Sequence, residues 1–223
     1  MLSTPHDSEA RMIPDTAAGI HEFGHRRFVG GNDQYWDGLS QLQFDLLVSK
    51  GLTPQDSFLD VACGSLRAGS RLIPYLDPGR YVGVDKHIEL IIYGVACEIG
   101  IDAFREKRPH FIVSDSFDFS ALPQAVDFGI AQSLFSHLSA RDIGLCLGNL
   151  RPHMTPGGRF FATFFEASVV RQNPDSSHSH DHFEFTRREM ETLGIETGWA
   201  PQYIGEWSHP RGQMLMEYVA ASD

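Results

Sequence analysis

The chain has 223 residues, 42% hydrophobic and 21% charged, which is enough for one globular domain with a sizeable core. Its net charge of −11, with histidine neutral, argues against a nucleic-acid backbone as partner, because such binding rests on many Lys and Arg contacts to phosphate. No apolar run reaches the length of a membrane span, the first residues lack the pattern of a secretion signal, and the scattered Cys63, Cys97 and Cys146 read as reduced, mostly buried thiols of a cytoplasmic protein.

Residues 1–38 form an N-terminal arm ahead of a single domain over residues 39–223. Residues 1–18 are polar, with Pro5 and Pro14, and are expected to drape over the surface. Residues 21–36 are richer. Phe23, Phe28, Tyr35 and Trp36 can cover apolar faces, Arg26 and Arg27 can pair with an anion, and Gly24, Gly30 and Gly31 let the backbone bend. Apolar spacing predicts a helix over 39–48, ended by Gly51. Residues 58–62 read as a buried strand, 63–65 as a sharp turn and 66–75 as a helix.

Residues 79–85 form a second strand, followed by a helix over 87–99 that Gly100 stops and a basic loop at 105–109. Further strands are expected at 110–115 and 126–132, and a helix at 140–150. A tight turn at 155–158 leads into a strand at 159–165 with Glu166 at its exit. Residues 167–181 read as a loop, and Phe183 and Phe185, just beyond it, are expected to line the acceptor pocket. Thr186 caps a helix reaching Gly198, with Glu189 three residues on. The strands at 202–206 and 213–219 are close enough in sequence for an antiparallel hairpin.

A strand running through a glycine turn into a helix aims free backbone N–H groups at one point, which is where ligands sit in a parallel α/β sheet. The turn lacks the dinucleotide fingerprint, since Ala62, Gly64 and Leu66 stand where Gly-x-Gly-x-Gly would fall. Asp85 ends the next strand about 20 residues later, where a ribose-binding carboxylate would stand. Asp60 and Asp85 are thus expected to flank one nucleoside-sized crevice.

These segments, Asp60-Val-Ala-Cys-Gly-Ser65 and Gly83-Val-Asp85, resemble the first motif and the acidic second strand of class I S-adenosylmethionine-dependent methyltransferases of the small-molecule type. Ala62 and Leu66 replace two usual glycines. The resemblance extends over about residues 39–220. It implies a Rossmann-like three-layer α/β sandwich whose seven-stranded, mostly parallel sheet has an antiparallel last strand. It also implies S-adenosyl-L-methionine as cofactor, held by Asp60, Ala62, Cys63, Gly64, Ser65 and Arg67 of the turn, by Asp85 and Lys86, by Asp115 and Ser116 at the adenine, and by Gln132 and Ser133. The segment before the sheet would close over it.

Methyl transfer to a hydroxyl needs a base, and the candidates lie at strand ends. His137, just after the fourth strand, is the first choice, with Glu166 and His209 as further catalytic candidates. The acidic chain favours a neutral or cationic metabolite, or a sugar, as acceptor. His178, His180 and His182, with Asp181 and Glu184, alternate as metal ligands can, but their Ser/Asp-rich loop offers no rigid support, so no metal is expected. Two other functions compete. An NAD(P)-dependent oxidoreductase is opposed by the missing glycines and the C-terminal hairpin. A non-catalytic S-adenosylmethionine-binding module is opposed by the joint presence of Asp85, Asp115 and His137.

Overall fold

The computed structural model describes residues 15–30, 33–178 and 182–221. Strands β1 (Phe58–Val61) and β2 (Tyr81–Asp85) are buried at every position, as parallel strands covered on both faces must be. With β3 (His110–Val113), β4 (Val126–Ala131), β5 (Met154–Glu166), β7 (Trp199–Gly205) and β8 (Met214–Ala220) they form a sheet in the order β3-β2-β1-β4-β5-β8-β7. The first five run parallel, and β8 is antiparallel to both its neighbours. This is the sheet the sequence leads one to expect. A two-residue strand, β6 (Glu184–Phe185), pairs in parallel with the tail of β5. The strand order reverses between β1 and β4, so their carboxyl ends open on a switch-point crevice.

Alternation along the strands divides the core. Phe58, Tyr81, Ile130, Phe161 and Leu215 face α3 (Asp33–Ser49), α4 (Gly69–Tyr75) and α5 (Ile88–Tyr93), meeting Leu39, Leu47, Leu72, Ile73 and Ile91. Leu59, Val61, Val84, Phe160, Phe164 and Met216 face α7 (Ala140–Leu150) and α8 (Arg187–Glu196), meeting Ile143, Leu147, Leu150 and Met190. The Thr186–Glu189 capping box opens α8 as its spacing predicts. Phe183 and Phe185, expected beside a pocket, are instead fully packed in this second cluster.

Several boundaries differ from expectation for local reasons. The arm is folded into α1 (Ala17–Phe23) and α2 (His25–Phe28), and the boundary expected at residue 38 falls inside α3. The helix after β2 passes from α5 into a π-helical segment (Gly94–Ile99). Gly100, at φ +80°, redirects the chain rather than stopping it, so α6 (Gly100–Lys107) takes up much of the expected basic loop. The π segment begins where the helix presses on the turn after β1. A Cβ on Gly94 would lie 2.6 Å from Leu66 Cγ and 2.8 Å from the Ser65 carbonyl carbon. The expected tight turn at 155–158 lies within β5 as an irregularity that shifts its register against β4. Cys63 and Cys146 are buried, Cys97 is exposed, and all three are free. Among the described residues, no helix is long and apolar enough to cross a membrane.

Candidate active site

The turn after β1 puts three alternate residues in the left-handed region: Ala62 at φ +58°, Gly64 at +54° and Leu66 at +63°. These are the three positions at which the sequence aligns with Gly-x-Gly-x-Gly. Side chains at two of them carry a strain of roughly 1–2 kcal/mol each. Leu66 in this conformation also delays the start of α4 to Gly69. Asp85 ties the turn to β2: its Oδ2 accepts from Gly64 N–H at 2.8 Å and its Oδ1 from His87 N–H at 2.9 Å. Burial raises the Asp85 pKa, and the two N–H bonds work against that rise.

Asp60 does not flank the crevice as expected. It shares the strand face of Phe58 and lies buried beneath the turn, where Tyr81 Oη donates to its Oδ2 at 2.8 Å. Burial lifts its pKa to about 7 against the opposing pull of Tyr81 and Arg67. Cys63 and Ser65 are buried within the turn.

The arm lies over this end of the sheet. A Cβ on Gly64 would sit 3.1 Å from Val29 Cγ1. Ile20 and Phe28 pack on Leu90. Arg26 donates to Glu98 through Nε and Nη2, at 2.8 and 2.9 Å, and Trp36 Nε1 reaches the same carboxylate at 3.2 Å. Arg26 is thereby committed to structure, while Arg27 stacks on Phe23. Lys86, expected at the cofactor, pairs with Asp15 at 2.5 Å, and His87 Nε2 lies 2.8 Å from the same acid. Beyond β3, Asp115 and Ser116 are exposed, and Ser114 N–H donates to the Asp85 carbonyl at 3.1 Å.

The ends of β4, β5 and β8 are joined by a buried polar network. Ser133, at φ +56°, donates its N–H to Thr163 Oγ1 at 2.7 Å and its hydroxyl to Gln213 Oε1 at 3.0 Å. Thr163 Oγ1 also donates to Gln213 Oε1, at 2.7 Å. His209 Nδ1 accepts from the N–H groups of Arg211 and Gln213, at 3.2 and 3.4 Å. In the neutral ring the proton therefore sits on Nε2, which lies 2.9 Å from the Gln132 side-chain nitrogen. Gln132 Oε1 is meanwhile buried with no partner among the described residues. Turning the amide over pairs that oxygen with the His209 N–H. Burial, with Arg67 and Arg211 nearby, lowers the His209 pKa to about 4. The ring is thus neutral at physiological pH and too weakly basic to deprotonate a hydroxyl, which narrows its expected catalytic role to hydrogen bonding.

Between the two ends lies a cavity lined by Val29, Gly30, Tyr35, Arg67, Ser133, His209 and Arg211, among others. Arg67 packs over Trp36, and its Nε is buried with no partner among the described residues. Burial and the charge of Arg211 lower its pKa to about 10. Arg211 donates to the Gly30 carbonyl and so ties the arm to the β7–β8 connection.

His137 sits half-buried on the single 3-10 turn Phe135–His137 after β4. Its carbonyl accepts from His178 N–H at 3.1 Å, and Ser136 O accepts from Phe183 N–H at 3.0 Å, so the loop after β5 crosses this turn. Glu166 is not brought to the cavity. It lies on the opposite face of β5 from Thr163, accepting from Tyr203 Oη at 2.6 Å. His182 pairs with Glu184 at 3.4 Å and lies against Phe165. His180 and Asp181 lie outside the described residues, and no metal-binding cluster occurs among the described ones. Thr163 and Tyr81 escape sequence reasoning, and Gln213 enters it only as the first residue of the last expected strand.

No protein-family profile matches the chain. Solved structures do. The magnesium protoporphyrin IX methyltransferase of Synechocystis PCC 6803, with bound S-adenosylmethionine, superposes with a TM-score of 0.63 at 16% identity, over 88% of this chain and 89% of its own. Streptomyces venezuelae DesVI gives 0.62 at 16% identity, over 92% and 99%. Human N-acetylserotonin methyltransferase in complex with S-adenosylmethionine gives 0.63 at 13% identity, over 94% of this chain and 60% of its own. The fold is that of the class I S-adenosylmethionine-dependent methyltransferases.

Proposed function

We propose that the protein is a cytoplasmic S-adenosylmethionine-dependent methyltransferase that acts on a small-molecule acceptor, with a hydroxyl oxygen as the acceptor atom. The observation that carries this reading is the left-handed turn at residues 62–66, stapled by Asp85 and followed directly by Arg67, which lines a cavity and whose buried Nε has no partner among the described residues. An orphaned guanidinium nitrogen at that position fits a donor carboxylate. Solved methyltransferases of the same fold, two of them holding S-adenosylmethionine, support it.

When bound, S-adenosylmethionine supplies a methyl group already activated on a sulfonium. The protein's own tasks are alignment, exclusion of water and proton removal. Asp85 keeps unused acceptor capacity for ribose hydroxyls, and Asp115 with Ser116 takes the adenine edge in this reading. The arm is the cover: Val29 lies on the turn, and the Arg211 bond to Gly30 holds it down. His137 takes the hydroxyl proton, a role His209 is too weakly basic to fill.

Two measurements test this. Calorimetry with S-adenosylhomocysteine is expected to show binding, and incubation of donor with a metabolite pool is expected to release S-adenosylhomocysteine. His137→Ala should lower turnover by roughly 10²–10⁴-fold with donor affinity little changed. Near-normal turnover in that variant excludes the base, and folded protein that binds no donor product excludes the function.

A further inference from the structure

We infer that the acceptor carries an oxyanion, of carboxylate or phosphate type, and that Arg211 is the residue that meets it. The inference rests on the methyltransferase reading above and concerns the substrate class of the same site.

The whole chain and the cavity have opposite electrical character. The chain carries a net charge of −11, yet among the described residues that line the cavity the ionised side chains, Arg67 and Arg211, are guanidinium groups, and none of those described is an acid. They stand close enough for the charge of Arg211 to depress the Arg67 pKa. Neither has a carboxylate in hydrogen-bond or ion-pair contact among the described residues, and the bond of Arg211 goes to a neutral carbonyl. The other titratable groups at this place do not balance them. His209 is neutral. Asp60, beneath Arg67, is held by Tyr81 with its pKa near 7, so near neutrality it is only partly ionised. Glu98 is already engaged by Arg26.

S-adenosylmethionine does not remove the imbalance. Its carboxylate can satisfy one guanidinium, and the buried Nε of Arg67, two residues past the turn, is the fitting partner. Its ammonium and sulfonium then leave the donor with a net positive charge. Arg211 is exposed at the cavity mouth beside Ser133 and His209, with no anion to meet. An anionic acceptor supplies one, and the planar fork of Arg211 suits either oxyanion. The acidic composition therefore does not select a neutral or cationic acceptor, because the local field is what the acceptor meets.

Calorimetry in two steps tests this. S-adenosylhomocysteine is first titrated into the wild-type protein and into Arg211→Gln. With that product saturating, benzoate, phenyl phosphate and uncharged benzamide are then titrated. At least one of the anions is expected to bind roughly tenfold more tightly than benzamide, and the anion that binds identifies the group. Arg211→Gln should weaken anion binding roughly tenfold and, because its bond to Gly30 is lost as well, weaken S-adenosylhomocysteine by a smaller factor of about two to three, and Arg211→Lys should restore part of the anion loss. Equal binding of benzamide, no binding of either anion, or an equal loss of S-adenosylhomocysteine in Arg211→Gln overturns the inference and leaves the methyltransferase reading standing. Failure of the wild-type protein to bind S-adenosylhomocysteine strikes the methyltransferase reading itself, and the inference falls with it.

Discussion

The two ends of the crevice are built from different materials. After β1 and β2 the surface is made of backbone: three left-handed residues, N–H groups gathered by Asp85, and a helix brought against the turn through Gly94. After β4, β5 and β8 it is made of side chains, with Gln132, Ser133, Thr163, His209 and Gln213 meeting from three separate strand ends. A backbone site presents one fixed shape, as an invariant donor needs. A side-chain network can be rewritten residue by residue without disturbing the sheet.

The strongest way to break the backbone end is Gly94→Ala. Its Cβ would meet Leu66 and the Ser65 backbone, and the backbone cannot swing aside as a flexible side chain would. Denaturant unfolding should show a loss of about 3 kcal/mol, with binding of S-adenosylhomocysteine weakened in what remains folded. A loss below about 0.5 kcal/mol would mean that helix and turn are not in tight contact. Asp85→Ala comes next. Removing the acceptor of the Gly64 and His87 N–H groups should weaken S-adenosylhomocysteine by about 2 kcal/mol, and unchanged affinity in a folded variant would free Asp85 of its ribose-binding assignment.

A smaller effect separates the two ends by the sign of their pH response. His209 titrates near 4 when folded, below its ordinary 6.5, so its contribution to stability is complete above pH 6.5 and lost as pH falls toward 4. Asp60 titrates near 7 when folded, above its ordinary 3.8, so its contribution is complete below pH 3.8 and lost as pH rises through 7. The two slopes oppose each other over most of this range, so unfolding curves from pH 4 to 8 should show His209→Asn uncovering a fall in stability with rising pH and Asp60→Asn uncovering a rise. The same slope in both variants and the wild type would contradict the burial of these groups. The smallest expected change is a gain. Ala62→Gly relieves a left-handed alanine at an exposed position and should stabilise by about 0.5 kcal/mol, read as a rise in unfolding midpoint.

The backbone end was legible in the sequence because its parts are local. A strand, one glycine, a helix and an acid at the end of the next strand announce themselves within a short stretch, and the three left-handed positions fall where the motif places them. The alternating strands and helices and the closing hairpin were legible for a similar reason, since each unit's pattern is local in sequence, and the seven-stranded sheet followed from the family resemblance. The side-chain end was not. Thr163 is one residue of an apolar strand, and nothing in its neighbourhood marks it as a partner of Gln213. Phe183 and Phe185 look the same in sequence whether they line a pocket or fill the core, and the core holds them. The π segment escaped because its cause is a contact between Gly94 and a turn far earlier in the chain. Glu166 shows the limit of reasoning from strand ends: one residue of alternation turns a side chain to the far face of the sheet.

The position of β8 has a consequence for synthesis. It follows the other described strands in chain order, yet it lies between β5 and β7. While the ribosome is still adding residues beyond 166, the edge of β5 that β8 will occupy stays open, and that edge belongs to the apolar run 160–165. An unpaired apolar edge of this kind is a template for pairing with another nascent chain. Chains arrested after β7 but before β8 should therefore collect in aggregates, and completing β8 is the step that makes a newly made molecule safe from its neighbours.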